Sequence, residues 1–103
     1  MNVEFLEPAA QEFYESIVFY DIQRKGLGQE FAKEVEATIE RIKQRPEAWA
    51  TVSSSKRARR CLTNRFPFGI VYQIRQDTLL ILAVWHLRRR PQAWQKRLSK
   101  NSQ

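Results

Sequence analysis

The sequence predicts an α+β fold: an N-terminal strand, an antiparallel helical hairpin packed on a mainly antiparallel four-stranded sheet, and a short C-terminal helical tail. Three observations carry this reading. From Phe68 to Arg75 apolar residues alternate, with Phe68, Ile70, Tyr72 and Ile74 on one face, which is the period of a half-buried strand. From Ala10 to Ile42 the period changes to three and four residues, the spacing of amphipathic helices. After the first strand, helical and extended patterns segregate along the chain, giving the order β-α-α-β-β-β.

The first strand is expected at Asn2–Leu6, where Val3 and Phe5 alternate with Asn2 and Glu4. Pro8 suits the first turn of a helix, where its missing N–H costs nothing, and Glu7 and Glu12 complement the positive end of the helix dipole. Ala10, Phe13, Ile17 and Tyr20 mark the inward stripe of that helix, with Tyr14 and Val18 expected to widen it. Arg24 and Lys25 close its last turn and Gly26 stops it. Leu27, Phe31, Val35, Ile39 and Ile42 form a second stripe over Leu27–Gln44, ended by Pro46. A link this short folds the two helices back on each other. Their aromatic residues read as core.

Periodicity is lost between Glu47 and Ser55, where Trp49 is expected to anchor the loop and Ser53–Ser55 to form a surface turn. Lys56–Thr63 recovers alternation as an edge strand rich in arginine. Gln76 and Asp77 turn the following hairpin, and Leu79–Trp85 is an almost unbroken apolar run, which fits a central strand covered on both faces. Pro91–Leu98 can form one or two helical turns, with fraying expected beyond them.

A chain of 103 residues is a single domain, 1–103, large enough to bury roughly 60–70 % of its unfolded surface. With 43 % hydrophobic and 28 % charged residues it has the composition of a soluble globular protein. No run approaches the roughly 18 apolar residues of a membrane span, and the N-terminus lacks signal-peptide character, so no membrane association and a cytoplasmic location are expected. One cysteine, Cys61, and one histidine exclude an internal disulfide and any recognisable metal cluster, and no cofactor motif is present. Cys61 reads as a small buried apolar residue.

The net charge of +7 conceals an asymmetry. Up to Ser55 the chain has six basic and ten acidic residues; from Lys56 onward it has twelve basic residues and one acid, Asp77. Such a field attracts nucleic acid or acidic protein segments. The candidate residues for binding such a partner are Arg57, Arg59, Arg60, Arg65, Arg88, Arg89, Arg90 and Trp94. Their guanidinium groups are expected to converge beside the carboxyl end of the last strand. His86, at that end, has a second reading, finishing the sheet through a backbone hydrogen bond.

The phrase Phe66-Pro67-Phe68-Gly69-Ile70-Val71-Tyr72, and the ending Ala83-Val84-Trp85-His86-Leu87-Arg88-Arg89-Arg90-Pro91 before Trp94, resemble the RelE/ParE superfamily of toxins from type II toxin-antitoxin systems. The resemblance covers nearly the whole chain. It implies a toxin silenced by a cognate acidic antitoxin that folds on binding. RelE-like members are mRNA interferases that cut message on the ribosome, which requires a proton acceptor, a donor and cations facing the transition state. Here Gly69 stands where that branch has an arginine, Leu87 replaces another, and no tyrosine follows Tyr72; Trp94 has no ionisable hydroxyl to offer. Arg60 and His86 alone remain as catalytic candidates. ParE-like members instead poison DNA gyrase by binding, and the histidine followed by arginines fits them better. The preferred reading is therefore a gyrase-directed toxin without nuclease activity, with the RelE-like endoribonuclease as the alternative and an inactive or non-toxic nucleic-acid-binding domain behind it. A homodimer and a toxin-antitoxin heterotetramer are both compatible with the sequence.

Overall fold

The computed structural model describes residues 1–52 and 57–100, excluding the side chains of residues 92 and 98–100. The elements are β1 (Asn2–Phe5), α1 (Glu7–Gln23), α2 (Leu27–Gln44), β2 (Arg59–Leu62), β3 (Phe68–Arg75), β4 (Thr78–His86) and α3 (Gln92–Lys100). The sheet has the order β1-β4-β3-β2. β1 runs parallel to β4, while β2–β3 and β3–β4 are antiparallel. The expected α+β architecture is the observed one.

The boundaries follow local chemistry. Pro8 sits in the first turn of α1, as its fixed φ favours. α1 stops at Gln23, before the basic pair Arg24 and Lys25 expected in its last turn, because Asp21 instead accepts hydrogen bonds from the amides of Gly26 (2.8 Å) and Gly28 (3.2 Å). One carboxylate thus ends one helix and satisfies the free N–H groups that open the next. The helices approach closely at Gly28, where an added Cβ would lie 2.4 Å from the Ile17 carbonyl oxygen. β2 begins at Arg59, later than expected; Lys56 and the expected turn Ser53–Ser55 lie outside the described residues.

The helical hairpin covers one face of the sheet, α1 against β4 and α2 against β2 and β3. Phe31, Val35, Ile39 and Ile42 of α2 meet Phe68, Ile70, Tyr72, Leu79, Ile81 and Val84, with Phe13, Ile17, Tyr20 and the loop residue Trp49 packed around them. Part of the other face carries a second core, in which Trp94 of α3 packs with Ala58, Val71, Leu80, Leu82, Ala83 and Trp85. β4 is apolar on both sides, so each face needs a cover.

A bulge sets which residues face which core. Val71 pairs with Ala83 and Tyr72 with Ile81, leaving Leu82 unopposed. Leu82 and Ala83 therefore both join the outer core, and the parity of the strand reverses beyond them. Val84 and His86 turn to the helix side and Trp85 to the outer side. Without the bulge those three residues would exchange faces.

Candidate functional site

The structure distributes the candidate arginines by task. Arg59 donates to the Trp49 carbonyl at 2.7 Å and lines a hollow with Glu47, Arg57, Tyr72, Gln73 and Ile74. Arg57 is also engaged within the chain. Arg65 pairs with Glu30 at 3.0 Å and lies over the Phe66 ring; its hydrogen bond holds the exposed Glu30 carboxyl below the usual range. Arg89 stacks on Trp85, 3.9 Å from the ring centroid, and reaches Glu12 at 3.6 Å. The side chains of Arg60, Arg88 and Arg90 have no partner among the described residues. Among the described residues, three of the eight candidates thus carry cations with no internal partner. Trp94, only 3 % exposed, is the lid of the outer core, packed on the apolar outer face of β4.

Arg60 and His86 are separated by the sheet itself. Arg60 projects on the outer face, its carbons lying across Gly69, whereas the His86 ring contacts Phe68 on the helix face, 5.2 Å between centroids. A proton-transfer residue and a cation on opposite faces do not address one phosphate. His86 Nδ1 accepts the Arg88 amide at 3.1 Å, so the ring terminates the sheet and its Nε2 is left as the donor. It borders a hollow of about 490 Å³ with Glu12, Glu15, Ser16, Phe19, Tyr20, Phe68, Val84 and Arg89. Burial pushes the Cys61 thiol up, and Arg41 beside it only partly offsets this, so the buried sulfur is a packing group and not a nucleophile. Burial likewise pushes the Tyr72 hydroxyl up to about 12 while it donates to the Pro46 carbonyl at 2.6 Å.

The basic tail is clasped to the fold by a pair that sequence reasoning missed. β1 ends opposite Ile81, leaving the edge of β4 beyond it without a neighbouring strand. There the Val84 amide donates to Glu12 Oε1 (3.1 Å), and the Leu82 carbonyl accepts from Arg97 (2.9 Å). Arg97 and Glu12 also pair with each other at 2.6 Å. Side chains from α1 and α3 thus complete the ladder where the strand runs out. The residues are 85 apart in the chain, and no local pattern signals the contact.

The outer side of α1 was also misread. Tyr14 is 67 % exposed, Phe19 57 % and Ile22 80 %, and Val18 lies between them, so Tyr14 and Val18 do not widen the inward stripe. The signal was present: apolar residues occur all round this helix, a pattern that belongs to a helix covered on every side. In the isolated chain one side has no cover.

Fold and surfaces together define a class, a small basic α+β domain with an exposed apolar row on α1 and with its nuclease candidates divided between two faces of a sheet. The sequence model of the ParE toxin of type II toxin-antitoxin systems (parDE) matches residues 3–91, and the chain belongs to this family. Among solved structures it resembles a chain from the "Chromosomal ParDE TA system from P. aeruginosa", with a TM-score of 0.63 and 16 % identity over 85 % of this chain and 97 % of that one. No match is found among curated proteins. Membership implies an antitoxin partner, and it does not favour the RelE-like alternative. Among the described residues no helix is long and apolar enough to cross a membrane, and no group of three His, Cys, Asp or Glu side chains is placed to hold a metal ion.

Proposed function

We propose that this toxin arrests growth by binding DNA gyrase, without itself catalysing a reaction. The observation that carries the reading is the family match over residues 3–91, joined to the placement of Arg60 and His86 on opposite faces of the sheet. The antitoxin supplies the missing cover of α1. A segment that folds on binding gains its affinity from apolar burial, and Tyr14, Val18, Phe19 and Ile22 offer the exposed apolar row for it. Acidic residues of the same segment reach the free arginines, which masks them from the target.

The test is a supercoiling assay with purified gyrase and relaxed plasmid, run beside translation on purified ribosomes with the message scored for cleavage. Inhibited supercoiling and intact message are expected. Unchanged supercoiling at saturating toxin would overturn the gyrase reading, and message cleavage abolished by His86→Ala would replace it.

A further inference from the structure

We propose that Gly69 is a positioning residue for Arg60, and that Arg60 with Arg88 and Arg90 forms the surface that docks on an acidic, partly apolar patch of the target protein; this rests on the gyrase reading above. Arg60 pairs with Val71, yet its stem does not stand off the strand there. It lies over Gly69, two residues toward the start of β3, where an added Cβ would come within 2.9 Å of Cγ and 2.8 Å of Cδ. These are mid-chain carbons, so a side chain at position 69 forces the whole arginine to move. Gly69 is opposite Trp85, one residue from the end of β4, so the stem directs its guanidinium toward the strand end from which Arg88 and Arg90 emerge.

Several features make this a docking surface. The three guanidinium groups have no partner among the described residues, whereas their neighbours Arg59, Arg65 and Arg89 are all committed to internal contacts. Arg60 is held by packing along its stem, so less side-chain freedom is lost when its charge is engaged. Leu62 and Leu87 stay exposed at the same end of the sheet, 47 % and 43 %, and the Leu62 side chain borders the Gly69 site. Apolar groups interleaved with unpaired cations match a protein surface of carboxylates and apolar side chains better than a phosphate backbone, which gains nothing from leucine.

The experiment compares wild type, Arg60→Ala, Gly69→Ala and the double variant for half-inhibition of gyrase supercoiling and for growth arrest on graded expression, with thermal melts of each. Arg60→Ala is expected to raise the half-inhibitory concentration roughly tenfold, as removal of a central charged contact does. Gly69→Ala should approach that loss, and the double variant should be no worse than Arg60→Ala, because both act through one guanidinium. If Gly69→Ala melts early, the double variant, which lacks the clashing stem, should recover the wild-type melt. Wild-type potency of Gly69→Ala beside a weakened Arg60→Ala, or fully additive losses, would overturn the positioning role. Wild-type potency of Arg60→Ala would overturn the surface. If wild-type protein leaves gyrase active, the gyrase reading fails, and the growth series still decides whether the two residues act as one. Arg60→Met, keeping the stem without its charge, should behave as Arg60→Ala does; retained potency would show that packing and not charge matters, against the proposal.

Discussion

The two faces of the sheet are closed by different means. On the helix side a broad aromatic and aliphatic layer meets the strands: Phe31 contacts the rings of Phe13, Tyr20, Phe66 and Phe68 at 4.8–6.2 Å. On the outer side one short helix contributes Trp94, and a nearly buried ion pair between Arg97 and Glu12 ties its chain to α1 and to the edge of β4. Apolar burial is non-directional and tolerates adjustment, whereas a desolvated ion pair depends on both partners being in place. The helix side is therefore the source of stability. The outer side is a lid over part of the sheet, and the part beside it, where Arg60 crosses Gly69, stays open.

That contrast can be broken from either side. Phe31→Ala should cost about 3–5 kcal/mol by opening a cavity among four rings, read as a shift of the urea midpoint at constant slope. A loss near 1 kcal/mol would mean that the helix layer is not the main support. Arg97→Ala should cost about 3 kcal/mol, the low end for a broken buried pair, because Arg89 still reaches Glu12. Its loss should also expose the outer core, seen as a red-shifted tryptophan emission that Phe31→Ala does not reproduce before unfolding.

Alkaline titration separates the faces by a buried phenol. Tyr72, on the helix side, ionises near 12 when folded because burial disfavours the phenolate, against 10 for an ordinary tyrosine, and burial raises Tyr20 in the same direction. Stability should hold below pH 10 and fall as the pH rises toward 12, by about 2 kcal/mol for Tyr72. Tyr72→Phe should flatten much of that decline; an unchanged curve would show that the phenol is not the cause. The smallest effect on folding is expected at the uncovered side of α1. Ile22→Ser and Tyr14→Ser should leave the melt within about 0.5 kcal/mol of wild type. The same changes should weaken antitoxin binding by roughly tenfold or more in a titration, since a bound helix draws its affinity from such anchors.

Much of this was legible in the chain. α2 runs from Leu27 to Gln44 as its five-residue stripe and Pro46 require, and Phe68–Arg75 is a strand with the faces its alternation assigns. Those elements are set by local periodicity and by residues that stop a helix, so a short window holds the information. The candidate site was less legible. Eight cationic or aromatic candidates looked equivalent in sequence, yet Arg59, Arg65 and Arg89 differ from Arg60 only in what the fold brings within reach. The exposed row on α1 was visible as an excess of apolar residues and was assigned to the wrong side, because a helix apolar all round gives its inward face no unique direction.

By itself the sequence determined the elements, their order, the burial of β4 on both faces and the concentration of positive charge after residue 56. These depend on composition and spacing within a few turns of chain. Only the tertiary structure decided which arginines have no partner among the described residues, that one unpaired residue at Leu82 turns His86 away from Arg60, and that Glu12 meets Arg97. Each of those outcomes comes from a strand register or a contact between distant segments, and such registers exist only once the whole sheet has closed.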